Sequence, residues 1–270
     1  MRPYLACLGD FGLLHAGLAC LRSIARRLAD GLRDVSDALE AQLLRIEGEK
    51  GLLGPAHRAY SGHSSGENRA IWNTWDWSRR GEEWDDTTEP EAWRASLIEH
   101  VLLPQLGDRA TVLEIGPGGG RWSHVLQGRA DRLVLVDVTE RALDLCRERF
   151  ADATNVEYVQ TDGATLPGVA DASLDFVWSF DAFVHIAPLD IASYLAEIAR
   201  VLKPEGRAVI HHAGRFRRGP GWRSPMTAAL FARLADEQGL RVSRQFDSWG
   251  DGKFGVRTNQ DVITVLEPAA

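Results

Sequence analysis

The chain has 270 residues, 44% of them hydrophobic and 26% charged, with a formal net charge of −7. That size and balance suit an ordinary globular protein with a sizeable core. The acidic net charge argues against a general nucleic-acid binder, whose affinity needs an excess of Lys and Arg.

The first apolar stretch, LACLGDFGLLHAGLACL, is interrupted by Asp10 and His15 and has only Arg2 as a basic start, which does not make a secretion signal. No run of about 18 uncharged apolar residues offers a membrane span. The three cysteines, Cys7, Cys20 and Cys146, show no CxxC spacing, so neither a zinc site nor a disulfide framework is indicated, and a reducing cytoplasm fits best. From Leu18 to Ile46 apolar residues recur every three or four positions between charges. That periodicity predicts a long amphipathic helix, or two joined near Gly31. It suits either packing on the main domain or a homodimer contact. Residues 51–70, GLLGPAHRAYSGHSSGENRA, are rich in Gly and Ser and read as a linker or mobile loop. The next segment, IWNTWDWSRRGEEW, holds four tryptophans in fourteen residues with neither helical nor strand period. A helix follows over Glu91–Leu103, between Pro90 and Pro104. Residues 1–95 thus read as a helical cap with a Trp-rich lid segment, and 96–270 as a separate α/β domain.

From Thr111 the texture changes. TVLEIG, LVLVDV (133–138), VEYVQTD (156–162), LDFVWSF (174–180) and GRAVIHHA (206–213) are short β-rich runs. Helical patterns lie between them at Gly120–Gly128, Glu140–Ala151 and Leu189–Leu202. Strands alternating with helices predict a parallel sheet built from right-handed crossovers. LRVSRQFDSW and DVITVLEP near the end have nothing long enough for a helix between them, so they should pair antiparallel.

The chemistry clusters at strand ends. EIGPGGGRW closes the first strand and opens a helix, and Gly116, Gly118 and Gly120 give G-x-G-x-G. The dinucleotide fingerprint G-x-G-x-x-G would need its third glycine at Arg121. A loop of this kind lets a ligand pass closely without a pyrophosphate cradle. Asp137 ends the second strand, where a carboxylate can accept both hydroxyls of a ribose. Asp162 ends the third, where it can accept from an adenine amino group. Each acid alone suits a helix cap or turn equally well. Together with the glycines they line one crevice at the switch point of such a sheet.

VLEIGPGGGRW, LVLVDVT, VQTDG, LDFVWSFDAFVHI and EIARVLKPEGRAVI, taken in order, resemble the class I S-adenosylmethionine-dependent methyltransferases. The resemblance runs from about Leu97 to Leu266. It implies a Rossmann-like, mostly parallel seven-stranded sheet whose last strand is reversed, here preceded by an N-terminal helical cap. It implies S-adenosyl-L-methionine as cofactor. Glu114, Gly116, Gly118 and Gly120 would meet its methionine part, Asp137 and Val138 its ribose side, Asp162 and Gly163 its adenine, and Ser179 and Phe180 its amino end.

An oxygen acceptor needs a base near neutral pH, and an imidazole is the first place to look. His185 follows the fourth strand, and His211 and His212 end the fifth. The two neighbours cannot both face one side of a strand. His185 is the first candidate base and His211 the second, with Asp181 able to orient either; a packed histidine is the alternative for each. No set of ligands has metal spacing, which predicts metal-independent transfer. After the fifth strand, GRFRRGPGWRSP places Arg215 and Trp222 in a basic loop. The loop is either solvated or a reader of an acidic acceptor. The segment before the first strand in this family commonly folds back over the site, so Trp72, Trp75 and Trp77 would wall off water or glue the cap to the sheet. A small-molecule acceptor such as a secondary metabolite or sugar is favoured. A peptide or protein acceptor, and a scaffold that binds the cofactor without catalysis, are the alternatives.

Overall fold

A computed structural model describes residues 64–82, 89–215, 223–256, 258 and 260–269. The chain divides into two units, Met1–Leu52 and Leu53–Ala270. Every described residue lies in the second, and the helix expected over 18–46 lies outside them.

The sheet is built from β1 (Ala110–Ile115), β2 (Ala130–Asp137), β3 (Val156–Gln160), β4 (Leu174–Ser179), β5 (Leu202–Ala213), β6 (Leu240–Phe246) and β9 (Asp261–Pro268). A hairpin of two-residue strands, β7 (Ser248–Trp249) with β8 (Phe254–Gly255), forms a separate sheet. The seven strands run in the order β3-β2-β1-β4-β5-β9-β6. β1 to β5 pair parallel, and β9 runs antiparallel to both β5 and β6. The expected seven-stranded sheet with a reversed last strand is therefore present. Its central strands are apolar almost without break, as strands covered on both faces must be. The edge strand β3 instead leaves Glu157 and Gln160 exposed. Strand order reverses between β1 and β4, which opens a crevice at their carboxyl ends.

The helices are α1 (Ser65–Thr74), α2 (Pro90–Leu97), α3 (Ser123–Gln127), α4 (Glu140–Arg149), α5 (Pro188–Val201) and α6 (Ala228–Glu237). α2 runs on into one wider turn of π-helix at Ile98–Leu102, and together they cover the expected 91–103 up to its last residue, Leu103, which caps the turn. α1 corrects the linker reading from Ser65 onward, whereas residues 51–63 lie outside those described. Ser64 caps the helix by accepting from the Glu67 N–H, and the Glu67 carboxylate accepts in return from the Ser64 N–H at 2.9 Å. This S-x-x-E box nucleates a helix that the surrounding Gly and Ser residues hide. α6 was not anticipated, although Thr227 caps it and Leu230, Phe231 and Ala235 bury one face. β5 begins at Leu202, four residues before the Gly206 start expected, because β4 and β5 pair through an irregular register between Leu174 and Phe176. A side chain at Gly206 would press on the Leu174 carbonyl.

The core lies on both faces of the sheet. Leu97, Leu113, Leu135, Phe176 and Trp178 are wholly buried, each contributing roughly 1.5–3 kcal/mol by leaving water. Trp93, Trp122, Trp178 and Phe180 form a contiguous set of tilted and stacked rings reaching toward the crevice.

Candidate active site

The crevice contains a cavity of about 910 Å³, the open mouth included. Its floor is the loop after β1. Gly116, Gly118 and Gly120 all adopt left-handed backbone, with φ of 72°, 55° and 81°. Gly116 and Gly118 line the cavity, together with Gly119. A Cβ at Gly116 would lie 2.6 Å from Cβ of Ala182, and one at Gly118 would lie 2.9 Å from the Trp77 ring. Gly120 instead faces α4, where a Cβ would crowd Arg149 and Phe150. The Cys146 thiol, buried on α4, donates to the Gly118 carbonyl at 3.4 Å from beneath the loop. Burial, with the Glu114 and Asp137 charges nearby, raises its pKa.

Of the three acids, Asp137 alone lines the cavity. Its Oδ1 accepts from the Thr139 N–H and hydroxyl, both at 2.9 Å. Burial pushes its carboxyl up to about 6, opposed by the Thr139 bonds and by N–H groups of Gly118 and Val138. The Gly118 contact ties the glycine loop to the end of β2. Glu114 is buried beneath the loop, where Ser123 Oγ donates to it at 2.5 Å, and it is not part of the cavity wall. Burial drives its carboxyl up to about 8, against the hydrogen bond from Ser123. Asp162 is exposed and caps its own turn, accepting from the N–H groups of Ala164 at 2.9 Å and Thr165 at 2.8 Å. Those bonds, the Ala164 one first, lower its pKa. Its neighbour Gly163 and the β2-end residue Val138 do line the cavity. Ser179 is buried and donates to the Ile115 carbonyl at 2.8 Å, while Phe180 forms wall.

The histidines separate. His185 is buried with its ring 5.2 Å from that of Trp72, and the Asn68 side chain donates to its carbonyl at 3.4 Å. It stands behind Trp72 and Ile186, which line the cavity, and is not itself wall. His211 is stacked on Phe180 with centroids 4.3 Å apart. Its Nδ1 lies 3.2 Å from both the backbone nitrogen and Oδ1 of Asp181, and its Nε2 lies 3.6 Å from Asp261. Burial works to lower the His211 pKa, but the hydrogen bonds and charges of the two aspartates outweigh it and raise it. Asp181 meets His211, and it lines the cavity. His212 faces the opposite side of β5, stacked on Phe231 and bonded to Thr264 Oγ1 and the Ala213 carbonyl, both at 2.8 Å. Burial depresses its pKa to about 3.

The strap of residues 64–82 covers the glycine loop. Ser65, Asn68, Trp72 and Trp77 line the cavity, so Trp72 and Trp77 are wall and packing at once. Trp77 Nε1 donates to the Trp72 carbonyl at 3.0 Å. Trp75 packs edge-on against Trp72 and is not wall. At Gly119 a Cβ would run into the Arg80 backbone, which gives that glycine a role the G-x-G-x-G spacing did not assign. Arg215 is exposed, and Trp222 lies outside the described residues. Arg223, from the same basic loop, pairs with the buried Asp261.

Sequence reasoning missed Arg121. It is 6% exposed, lines the cavity, lies over the Trp122 ring at 4.7 Å, and stands 3.7 Å from Asp181. Its only signal was its place at the missing third glycine. Asn68 and Tyr194, also in the wall, carried none. Among the described residues no group of three His, Cys, Asp or Glu could hold a metal, and no helix is long and apolar enough to cross a membrane.

A family model described as a methyltransferase domain matches residues 112–206. A dimethylglycine N-methyltransferase of Parasynechococcus marenigrum is 36% identical over 107 residues, 38% of this chain and 36% of that protein. A demethylmenaquinone methyltransferase of Clavibacter sepedonicus is 35% identical over 121 residues, 44% of this chain and 46% of that protein. The chain spans less than half the length of these curated relatives. The crystal structure of a SAM-dependent methyltransferase from Aquifex aeolicus superposes with a TM-score of 0.54 at 21% identity, covering 72% of this chain and 98% of that one. At that identity the likeness shows the fold alone.

Proposed function

We propose, from the premise that residues 112–206 are a methyltransferase domain of the class I S-adenosylmethionine-dependent family, that the protein methylates a small molecule with S-adenosylmethionine as donor. The observation that carries this reading is the convergence of a left-handed glycine loop and the buried Asp137 carboxylate on one cavity.

The residues present fit that cofactor. Gly116 and Gly118 leave bare backbone where a ligand can pass closely. Asp137 can accept from ribose hydroxyls in a place where water competes poorly. Val138, Gly163 and Ile186 add apolar surface to the same wall, which suits a flat base. When bound, the cofactor supplies a methyl already activated on a sulfonium. The chain's own task is then chiefly to position an acceptor for in-line attack and to exclude water. Trp72 and Trp77 suit that second task. The reading takes oxygen as the acceptor atom and His185 as the base. It also includes a cytoplasmic location and the association of two copies through the segment 18–46 that the sequence expects to be helical.

Two measurements test it. Calorimetry should show S-adenosylmethionine binding, weakened about tenfold or more in Asp137→Asn, as expected for roughly 1.5–3 kcal/mol lost with a charge-assisted bond. No binding by the wild type would overturn the reading. With an acceptor found by mass spectrometry as a product one methylene heavier, His185→Ala should cut turnover and leave cofactor affinity intact. Unchanged turnover removes His185 from the mechanism.

A further inference from the structure

The strap and the glycine loop meet backbone to backbone. A Cβ at Gly119 would lie 2.4 Å from the carbonyl carbon of Arg80, and one at Gly81 would lie 3.2 Å from Cβ of Arg121. Arg80 adopts left-handed backbone, φ 53°, and Gly81 follows it at 92°. That conformation costs a residue with a side chain and persists where its surroundings impose it. Gly81 and Gly119 both line the cavity. The fit of this turn against the loop therefore decides whether that part of the wall is closed.

One side chain spans the contact. Arg149 is the last residue of α4, and a cation in that place commonly bonds the open carbonyls of its own helix. Nη1 of Arg149 instead donates to the Gly119 carbonyl at 2.7 Å and to the Arg80 carbonyl at 3.3 Å. Its Nη2 stands 3.7 Å from Oε1 of Glu82, at the end of the strap. Its stem runs under the loop, where Cδ would lie 3.1 Å from a Cβ at Gly120. The neighbouring Glu148 also pairs with the Arg80 guanidinium, at 3.3 Å, but both side chains are exposed and such a pair contributes little. Arg149 is thus a single half-buried cation holding one carbonyl from the strap and one from the loop. The other end of the strap has its own anchor, because Arg69 of α1 donates to the carbonyls of Val138 at 3.2 Å and Thr161 at 3.4 Å.

We propose that Arg149 is a positioning residue that clips residues 76–82 to the glycine loop, so that this part of the strap and the loop open and close as one body. A loop set to receive a ligand is then a loop already covered, and water is shut out by the same event that forms the floor of the cavity. What this does for methyl transfer rests on the reading of the cavity as an S-adenosylmethionine site, but the clip itself belongs to the chain with or without a ligand.

The test is hydrogen exchange of single backbone amides, followed by magnetic resonance on the full chain. The Arg80 N–H donates to the Trp77 carbonyl and the Gly120 N–H to the Pro117 carbonyl, both at 2.9 Å, so the first reports opening of the strap turn and the second opening of the loop. Without ligand, the two opening equilibria of the wild type should agree within about threefold. Arg149→Met should separate them by about tenfold or more, the scale of a lost charge-assisted hydrogen bond, while the amide of the wholly buried Leu135 on β2 stays unchanged. Gly119→Ala tests the contact from the other side. Its Cβ would meet the Arg80 backbone, and it should release the Arg80 amide by a similar factor. S-adenosylhomocysteine should slow Arg80 and Gly120 together in the wild type, and Gly120 alone in Arg149→Met. Unequal openings in the ligand-free wild type overturn the clip, and so does an Arg149→Met chain in which they stay equal. Faster exchange of all three amides by one factor would make Arg149 a support of the whole fold and also overturn it. A wild type in which S-adenosylhomocysteine slows neither amide overturns the cofactor reading alone, and the ligand-free comparison still decides the clip.

Discussion

At the scale of single residues, the site is a set of groups whose burial fixes what each can do. Glu114 and His212 show this in opposite directions. Glu114 has a folded pKa of about 8 against 4.5 for an ordinary glutamate, so between those values the folded chain holds a proton that the unfolded chain has lost. Its contribution to stability is whole below pH 4.5 and disappears as pH rises through 8. Glu114→Gln should therefore gain in melting temperature over the wild type as pH is raised from 5 to 9. His212 runs the other way. Its folded pKa is about 3 against 6.5, so its contribution is whole above pH 6.5 and is lost as pH falls toward 3. The glycine loop and Asp137 drew the sequence reading because each ends a β-rich run, and the fold brings Gly116, Gly118 and Asp137 to one cavity wall. Arg121, Asn68 and Tyr194 were not, because residues far apart in the chain meet only after the sheet has formed. Asp162 is harder to read, because the same residue type also builds turns, and here its Oδ1 accepts from the N–H groups of Ala164 and Thr165.

At the scale of elements, the parallel strands were legible from their unbroken apolar runs, and α4 and α5 from their period. α1 was hidden by composition, since its cap is two polar residues in a Gly- and Ser-rich stretch. Ser64→Ala should cost about 1 kcal/mol of local helix stability, read as faster hydrogen exchange over 65–74 with the sheet amides unchanged. α6 was hidden because it lies beyond the basic loop that drew the reading. Its Phe231 is wholly buried against His212. Phe231→Ala should destabilise the fold by roughly 3–5 kcal/mol, measured by denaturant unfolding. An effect under about 1 kcal/mol would mean that the site collapses to fill the space.

At the scale of the molecule, the reversal of strand order puts the cavity between β1 and β4, and the strap closes over it. The antiparallel β9 does more than finish the sheet. Its register sets Asp261 opposite Ala213, and so brings a carboxylate to His211. Because the strap contributes Trp72 and Trp77 to the wall while Trp75 stands off it, S-adenosylhomocysteine should alter intrinsic tryptophan fluorescence. Trp72→Phe or Trp77→Phe should diminish that change and Trp75→Phe should leave it. An equal effect from all three would show that the strap responds as glue and not as wall.

The thiol beneath the glycine loop has a practical consequence. Cys146 is covered by the loop whose carbonyl it bonds, and its raised pKa leaves almost no thiolate at neutral pH. An alkylating reagent reaches it only when that cover lifts. The rate at which Cys146 is modified, followed by peptide mapping apart from Cys7 and Cys20, therefore counts openings of the core and loop around it, and slower modification with a ligand present would report occupancy without a dye, a tag or a known substrate.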